Sequence, residues 1–411
     1  MTLVEALRPG LDRAVPALVL RLDPNAFHHG TLAVIRSLGR AGVEVHALLA
    51  GPADPCARSR YLHRRHAWTA EPGDPGELLA DLAAVGDRIG RRCLLVPVDD
   101  ACALLVAEHA GELADRFLLP PQQPAVPRRL ADKAALAALC DELGVAHPEQ
   151  RLPRSPDEVA EAVRSLGLPV VAKWSRPWLL PPSSGLRSTR LLGSPAEAAA
   201  LFAQTPVAGS QLLLQHRLPA TPAGDWFFQG YLDGSDRWLA GGTGCKERAH
   251  PVEAGQTTLG RWLPNPAVQA LALRLAASVG YRGILDLDFR YDPDTGEYHL
   301  LDFNPRLGAQ FRVFVDRQGL DVVRALHLDL TGRQVPPWRP RLGRAVVVEN
   351  IDVLSAVQNW RDGRLDLAGW RRSLRGVQER AWLAADDLRP FAAMAACSLR
   401  QRVRRLRRSR L

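Results

Sequence analysis

Four prolines within eight residues, Pro120, Pro121, Pro124 and Pro127, divide this chain into two halves of different periodicity. Proline removes a backbone donor and crowds the preceding helical turn, so such a run is expected outside helices and central strands, at a boundary. Before it, PALVLRLD (16–23), TLAVIRSLGRAG (31–42) and VEVHALLA (43–50) read as strand, helix and strand, with Gly42 as the helix stop. LLADLAAVGDRIG (78–90), CLLVPVDD (93–100) and ALLVAEHAGELADRF (103–117) continue as helix, strand and helix, so an α/β unit with a parallel sheet is predicted. After it, DKAALAALCDELGV (132–145) has helical apolar spacing behind an Asp cap, and LPVVAKWS (168–175) and QLLLQHRL (211–218) read as strands. Residues 226–244 predict a hairpin about Asp233-Gly234, and residues 283–307 a second one turning at Pro293–Gly296. This half is therefore α+β. From about Pro336 the chain becomes Arg- and Trp-rich with helical stretches, and the expected division is 1–125, 126–335 and 336–411.

At 411 residues and 46% hydrophobic content the chain can fill two or three cores. It has no run of roughly 18 to 20 uninterrupted apolar residues and no basic-then-apolar leader at its start, so a cytoplasmic location is expected. The six cysteines form no C-x-x-C pair and no histidine stands at zinc-ligand spacing from them, which reads as buried thiols. The net charge of +9 is concentrated: the last sixteen residues hold seven arginines and no acid, which leaves +2 for the rest. A nucleic-acid binder spreads its positive field over a folded face, so no nucleic-acid partner is expected. Of the 53 basic residues 50 are arginine, and the three lysines are Lys133, Lys173 and Lys246. A bias toward arginine at surface sites leaves lysine where a compact ammonium is needed.

The sharpest chemical signal is in the second hairpin. Asp288 ends one strand, and Asp302 lies near the end of its partner, followed by Asn304, Pro305 and Arg306. Strand alternation puts Asp302 and Asn304 on one face, and the hairpin can bring Asp288 beside them. Two carboxylates and an amide oxygen form a hard, oxygen-only set suited to Mg²⁺ shared with phosphates, while Asp286 and Asp292 read as ordinary solvated residues. Lys133 heads a helix, and Lys173 follows four apolar residues on a strand, where a charge needs an anionic partner. An ATP phosphate supplies one. Ser183-Ser184-Gly185 is a small-residue turn able to present backbone N–H groups to a phosphate, although most such turns are only turns.

The order of these segments resembles the ATP-grasp superfamily, and within it the bacterial carboxylate–amine ligases that include D-aspartate ligase-like enzymes. AVIRSLGRAGVEVHAL, SRYLHRRH and LLVPVDD resemble the preceding Rossmann-like domain, ADKAALAALCDELGV and PVVAKWS the two lysine segments, and LLDFNPR the metal strand. The resemblance implies an ATP-grasp domain over 126–335, with adenine packed on the hinge QLLLQHRLPA through Gln215, His216 and Leu218. It also implies that Lys133 and Lys173 hold phosphates, and that Asp288, Asp302 and Asn304 hold Mg²⁺, for which Mn²⁺ can substitute. In GCKERAHP, Lys246 and Arg248 would face an acyl phosphate together with Arg306, and Asp225 would hold the ribose or the incoming amine. The implied reaction joins a small-molecule or peptide carboxylate to an amine; the alternative is an inactive ATP-binding scaffold of the same fold. His216 stands where the hinge usually has Glu, Ala220 where Gly is usual, and both strand carboxylates are Asp where Glu is more common. In the Arg-rich tail, Phe391, Met394, Leu399, Val403 and Leu406 fall along one side of a helix, a pattern that suits either contact with an anionic membrane surface, and so a peripheral location, or a solvated end.

Overall fold

The computed structural model describes residues 10–49, 51, 54–71, 73–252 and 255–408, with side chains to residue 401. Its first half is a parallel sheet of five strands, β1 (Ala17–Arg21), β2 (Val45–Leu49), β3 (Arg64–Ala67), β4 (Cys93–Pro97) and β5 (Phe117–Leu118), in the order β3-β2-β1-β4-β5. β1 and β2 are buried along their whole length, as a parallel sheet covered on both faces requires. Ala17 and Val19 enter one core, and Leu18 and Leu20 the core on the other face. At the carboxyl edge of this sheet Asp99 accepts from the amides of Leu22 and Asp23, so the loops after β1 and β4 are tied together there.

Helix Ala125–Ala131 begins inside the proline run with Pro127 as its third residue, contrary to the expectation that all four prolines lie outside helices. The first turn has no intrahelical acceptor for its amides, so the missing donor costs nothing at that position. Helix Lys133–Leu143 then follows a sharp break at Asp132, whose side chain accepts from the amides of Ala134 and Ala135.

Two sheets, antiparallel except for one parallel edge pair in the larger, make up the second half. The smaller contains β6 (Gln150–Arg151), β7 (Val170–Trp174), β8 (Thr189–Leu192) and β9 (Leu212–Gln215), ordered β6-β9-β7-β8. The larger contains β10 (Asp225–Leu232), β11 (Trp238–His250), β12 (Gln256–Trp262), β13 (Gly283–Asp292), β14 (Glu297–Asn304), β15 (Ala345–Val347) and β16 (Glu379–Arg380), ordered β14-β13-β10-β11-β12-β15-β16. Leu285, Leu287, Phe289 and Phe303 pack with Leu136, Leu139, Val268 and Leu275 from the helices on one face. Alternation along β13 therefore sends Asp286, Asp288 and Arg290 to the other face, toward the smaller sheet.

The segment after residue 336 does not stand apart, since it supplies β15 and β16. It also returns to the first half: the Arg36 guanidinium donates to Asp387 Oδ2 (3.0 Å) and the Trp382 carbonyl (2.8 Å), all buried. In helix Arg389–Arg408, Met394 is buried and Phe391 packs on the same core, with the helix lying against Pro55–Arg58. These two residues are thus occupied by the body of the protein, not presented as part of a free apolar face. Leu399 is exposed, and the side chains of Val403 and Leu406 lie outside the described residues. Among the described residues no helix is long and apolar enough to cross a membrane.

Candidate active site

The hairpin β13–β14 pairs Asp286 with Asn304 and Asp288 with Asp302, so three carboxylates and one amide share a face. Between the second of these pairs and Phe289–Leu300, β14 carries one extra residue, Leu301. This bulge frees the Leu301 carbonyl, which accepts from Lys173 Nζ at 2.8 Å. Lys133 Nζ, from the first position of its helix, pairs with Asp302 Oδ1. The two lysine segments are joined directly, because Ser175 Oγ (2.6 Å) and Arg176 Nε (2.7 Å) donate to Asp132, and the Lys133 amide donates to the Ser175 carbonyl (2.9 Å). Lys246 Nζ, from β11, lies 2.7 Å from Asp288 Oδ1.

Like charges are crowded within this arrangement. Burial, with the neighbouring Lys133, pulls Lys173 down to about 8. Burial, with the neighbouring Asp288, pushes the Asp286 carboxyl well above the usual range, even though Gln229 Nε2 donates to it at 2.9 Å. For Asp302 burial acts upward but is outweighed by Lys133 and Lys173, which hold it below the usual range. Lys246 is likewise raised despite burial, by Asp288. A polyanion would relieve the lysines, and a divalent cation the carboxylates, so the donor set fits both a phosphate chain and a hard metal ion.

A cavity of about 130 Å³ opens onto this cluster. Of the residues singled out in the sequence, it brings together Lys173, Gln215, His216, Leu218, Asp225, Lys246, Asp288 and Asp302. Gln215 is buried on β9, and His216 Nδ1 lies 2.9 Å from the Leu166 carbonyl. Asp225 is held by a two-pronged pair from Arg290 (2.6 and 2.9 Å), whose NH1 also donates to the Leu218 carbonyl. Asn304 Nδ2 donates to the Asp286 carbonyl (3.3 Å), while its Oδ1 accepts from Arg306 NH2 (3.3 Å). Arg306 Nε donates to Asp100 Oδ1 (2.8 Å) and NH1 lies 3.8 Å from Asp286 Oδ2, so this guanidinium joins the edge of the first sheet to the cluster.

Two expectations are corrected. Arg248 is turned away from the cavity: its pairing with β12 is irregular on both sides, and its side chain runs to helix Glu349–Arg361. There Nε and NH2 donate to Asp352 (2.8 Å each) and NH1 to Ser373 Oγ (2.6 Å), in a buried network. Ser183, Ser184 and Gly185 form a short turn at the surface in which Ser184 Oγ donates to the Pro181 carbonyl (2.7 Å), and they do not line the cavity.

Asp286, read from the sequence as an ordinary solvated residue, is buried within the cluster, and Gln229, Arg290 and Asp100 join it without having been singled out; Asp292, read the same way, is also buried, accepting from the amide of Asp294. The signal for Asp286 and Arg290 was present in the sequence, since Asp286-x-Asp288-x-Arg290 repeats with the period of a strand. Gly308 belongs with them: a Cβ there would lie 2.2 Å from Gln229 Nε2 and 2.4 Å from Asp286 Cγ, so this close approach requires glycine.

A parallel α/β unit followed by two mainly antiparallel sheets, with a lysine–carboxylate cleft between those sheets, is the ATP-grasp fold. The chain matches no family model. It is 24% identical over 243 residues to a D-aspartate ligase of Enterococcus faecium (strain Aus0004), a match covering 57% of this chain and 58% of that protein, less than two thirds of its length. Among solved structures it is similar to an N5-carboxyaminoimidazole synthetase of Staphylococcus aureus complexed with ADP, with a TM-score of 0.61 and 13% identity over 87% of this chain and 89% of the other. It is similar also to an L-amino acid ligase of Bacillus licheniformis (TM-score 0.60, 11% identity, 81% and 79% covered). A third is the biotin carboxylase domain of a Hydrogenobacter thermophilus 2-oxoglutarate carboxylase in complex with MgADP (0.58, 16%, 80% and 73%).

Proposed function

We propose that this chain is an ATP-dependent carboxylate–amine ligase, which forms an amide or peptide bond through an acyl phosphate and releases ADP and phosphate. The observation that carries the reading is the crowding of like charges in the cleft, Lys133 beside Lys173 and Asp286 beside Asp288, which a bound polyanion and a divalent cation would relieve together. In this reading residues 126–335 form the nucleotide-binding part, Lys133 and Lys173 hold phosphate oxygens, and Gln215, His216 and Leu218 border the base. Asp288, Asp302 and Asn304, joined by Asp286, hold Mg²⁺. When bound, the metal would offset the negative charge of the phosphate chain.

Lys246 and Arg306 then face the transferred phosphoryl group and the substrate carboxylate, where a fixed positive charge lowers the cost of bringing two anions together. A carboxylate oxygen takes the phosphoryl group, the bond to ADP breaks, and the amine nitrogen next attacks the acyl carbon, loses a proton and expels phosphate. The names of the relatives support amino-acid-like carboxylates and amines as substrates. The Arg-rich end of helix Arg389–Arg408, beyond Met394, is the part offered for contact with an anionic membrane surface, with the protein otherwise cytoplasmic.

The test is Mg²⁺-dependent ATP binding, by calorimetry, on the wild type, Lys173→Ala and Asp302→Ala. Charged hydrogen bonds contribute about 1.5–3 kcal/mol each, so affinity is expected to fall about 10- to 100-fold in each variant. Acid–amine pairs are then screened for ADP and phosphate release. A folded wild type that binds no ATP would overturn the reading.

A further inference from the structure

The amino edge of the first sheet carries a second cluster of ligating side chains, remote from the cleft at its carboxyl edge. Glu44 and His46 are two residues apart on the chain entering β2, so their side chains project from one face. His63, just before β3, is set beside them by its amide, which donates to the Val45 carbonyl (2.8 Å). Glu44 Oε1 lies 2.8 Å from His46 Nε2 and 3.7 Å from His63 Nε2. The donor atoms of the three lie within 4.8 Å of one another, the one such group of histidine, cysteine and carboxylate among the described residues.

We propose that Glu44 Oε1, His46 Nε2 and His63 Nε2 bind one Zn²⁺ here, with solvent in a fourth position. Two imidazoles and a carboxylate are a common zinc donor set, and three protein ligands with one open position are a recurring zinc geometry. The surrounding contacts are those that such a site needs. His46 Nδ1 lies 3.1 Å from Nε2 of the buried His66, so an Nδ1–H donated there leaves the Nε2 lone pair for the metal. The other oxygen of Glu44 accepts from Arg91 NH2 at 2.7 Å, which fixes the carboxylate and leaves Oε1 to bind through one oxygen. His63 is 55% exposed and His46 is buried, so the metal would enter from solvent on the His63 side. The ion would join the loop entering β3, the outer strand of the sheet, to β2.

Zn²⁺ is titrated calorimetrically into the full chain, without nucleotide, for the wild type, His63→Ala, His66→Ala and Asp302→Asn. The last variant serves to separate this site from the carboxylates of the cleft, and His63, being exposed, can be replaced without opening a core. One Zn²⁺ per chain is expected in the wild type and in Asp302→Asn. Affinity should fall at least about tenfold in His63→Ala, and about 10- to 100-fold in His66→Ala, the loss typical of removing an outer partner of a ligating histidine. Co²⁺ in place of Zn²⁺ should give the intense visible absorption of a four-coordinate ion in the wild type and lose it in His63→Ala. No uptake by the wild type, equal uptake by His63→Ala, or loss in Asp302→Asn with retention in His63→Ala would each overturn the proposal.

Discussion

Lys173 shows at the scale of one residue how the cleft is set for its ligand. Its ammonium is buried, has a like-charged neighbour in Lys133 and is met by the neutral Leu301 carbonyl; burial first, then Lys133, draws it down to about 8 in the free protein. A phosphate oxygen binds the charged form and raises that value on binding. The sign follows directly: below pH 8 the ammonium is already present, whereas above it each binding event must take up a proton, and affinity falls by up to about tenfold per pH unit. The dissociation constant for ATP is therefore expected to be flat near pH 7 and to rise steeply between about pH 8 and pH 9.5, with proton uptake visible in calorimetry across buffers of different ionisation heat. Lys173→Arg, charged throughout, should remove the slope. A wild-type constant independent of pH over this range would contradict the account. Asp286 illustrates the limit of reading such sites from a chain alone. Its strand period was legible, but whether an acid on a strand is solvated or crowded depends on Asp288, Gln229 and the close approach of Gly308, which only the packed sheet supplies.

At the scale of elements, two irregularities in pairing decide which side chains reach the cleft. The extra residue at Leu301 turns a carbonyl toward Lys173, and the disturbed register of β11 against β12 sends Lys246 and Arg248 to different places. The hairpins, the capped helix after Asp132 and the lysine-bearing strand were readable because apolar period and turn residues mark them. Bulges leave no such mark, and a K-x-R spacing on a regular strand would have put both cations on one face. Likewise, His63 reaches Glu44 and His46 from the segment entering a neighbouring parallel strand, so the i, i+2 spacing of Glu44 and His46 does not announce the third ligand. The consequence for Arg248 is testable. Bound to Asp352, which also accepts from Thr258 Oγ1 and Trp370 Nε1 (2.9 Å each), it anchors helix Glu349–Arg361 to the large sheet. Arg248→Met leaves a buried carboxylate without its cation and is expected to cost about 3–5 kcal/mol in denaturant unfolding. ATP affinity should stay within about threefold of wild type under conditions where the variant is folded. A stable variant with impaired nucleotide binding would instead return Arg248 to the cleft.

On the scale of the whole molecule, the Arg306 guanidinium couples the first sheet to the cleft. The main core runs from Leu11 to Met394 and includes residues of the first sheet, the large sheet and the C-terminal segment, with the buried Arg36–Asp387 pair closing it. The first sheet is thereby fixed against the second half, and its carboxyl edge, where Asp100 begins a helix, can position Arg306. Arg306 is the cation that reaches both Asp100 and the Asn304–Asp286 pair. In the ligase reading it meets the carboxylate substrate, whereas the phosphates are held by Lys133 and Lys173 from the other side. Asp100→Asn keeps the shape of the contact but removes its charge, so Arg306 should lose its orientation while the nucleotide contacts stay intact. With a productive acid–amine pair, ATP affinity is expected to change less than about threefold and kcat/KM for the acid to fall about 10- to 100-fold, the worth of one charge-assisted hydrogen bond. Asp100→Glu should recover part of the loss if the role is positioning. Equal losses in ATP affinity and acid turnover would show instead that Asp100 merely supports the fold, and the first sheet would then have no part in holding the substrate.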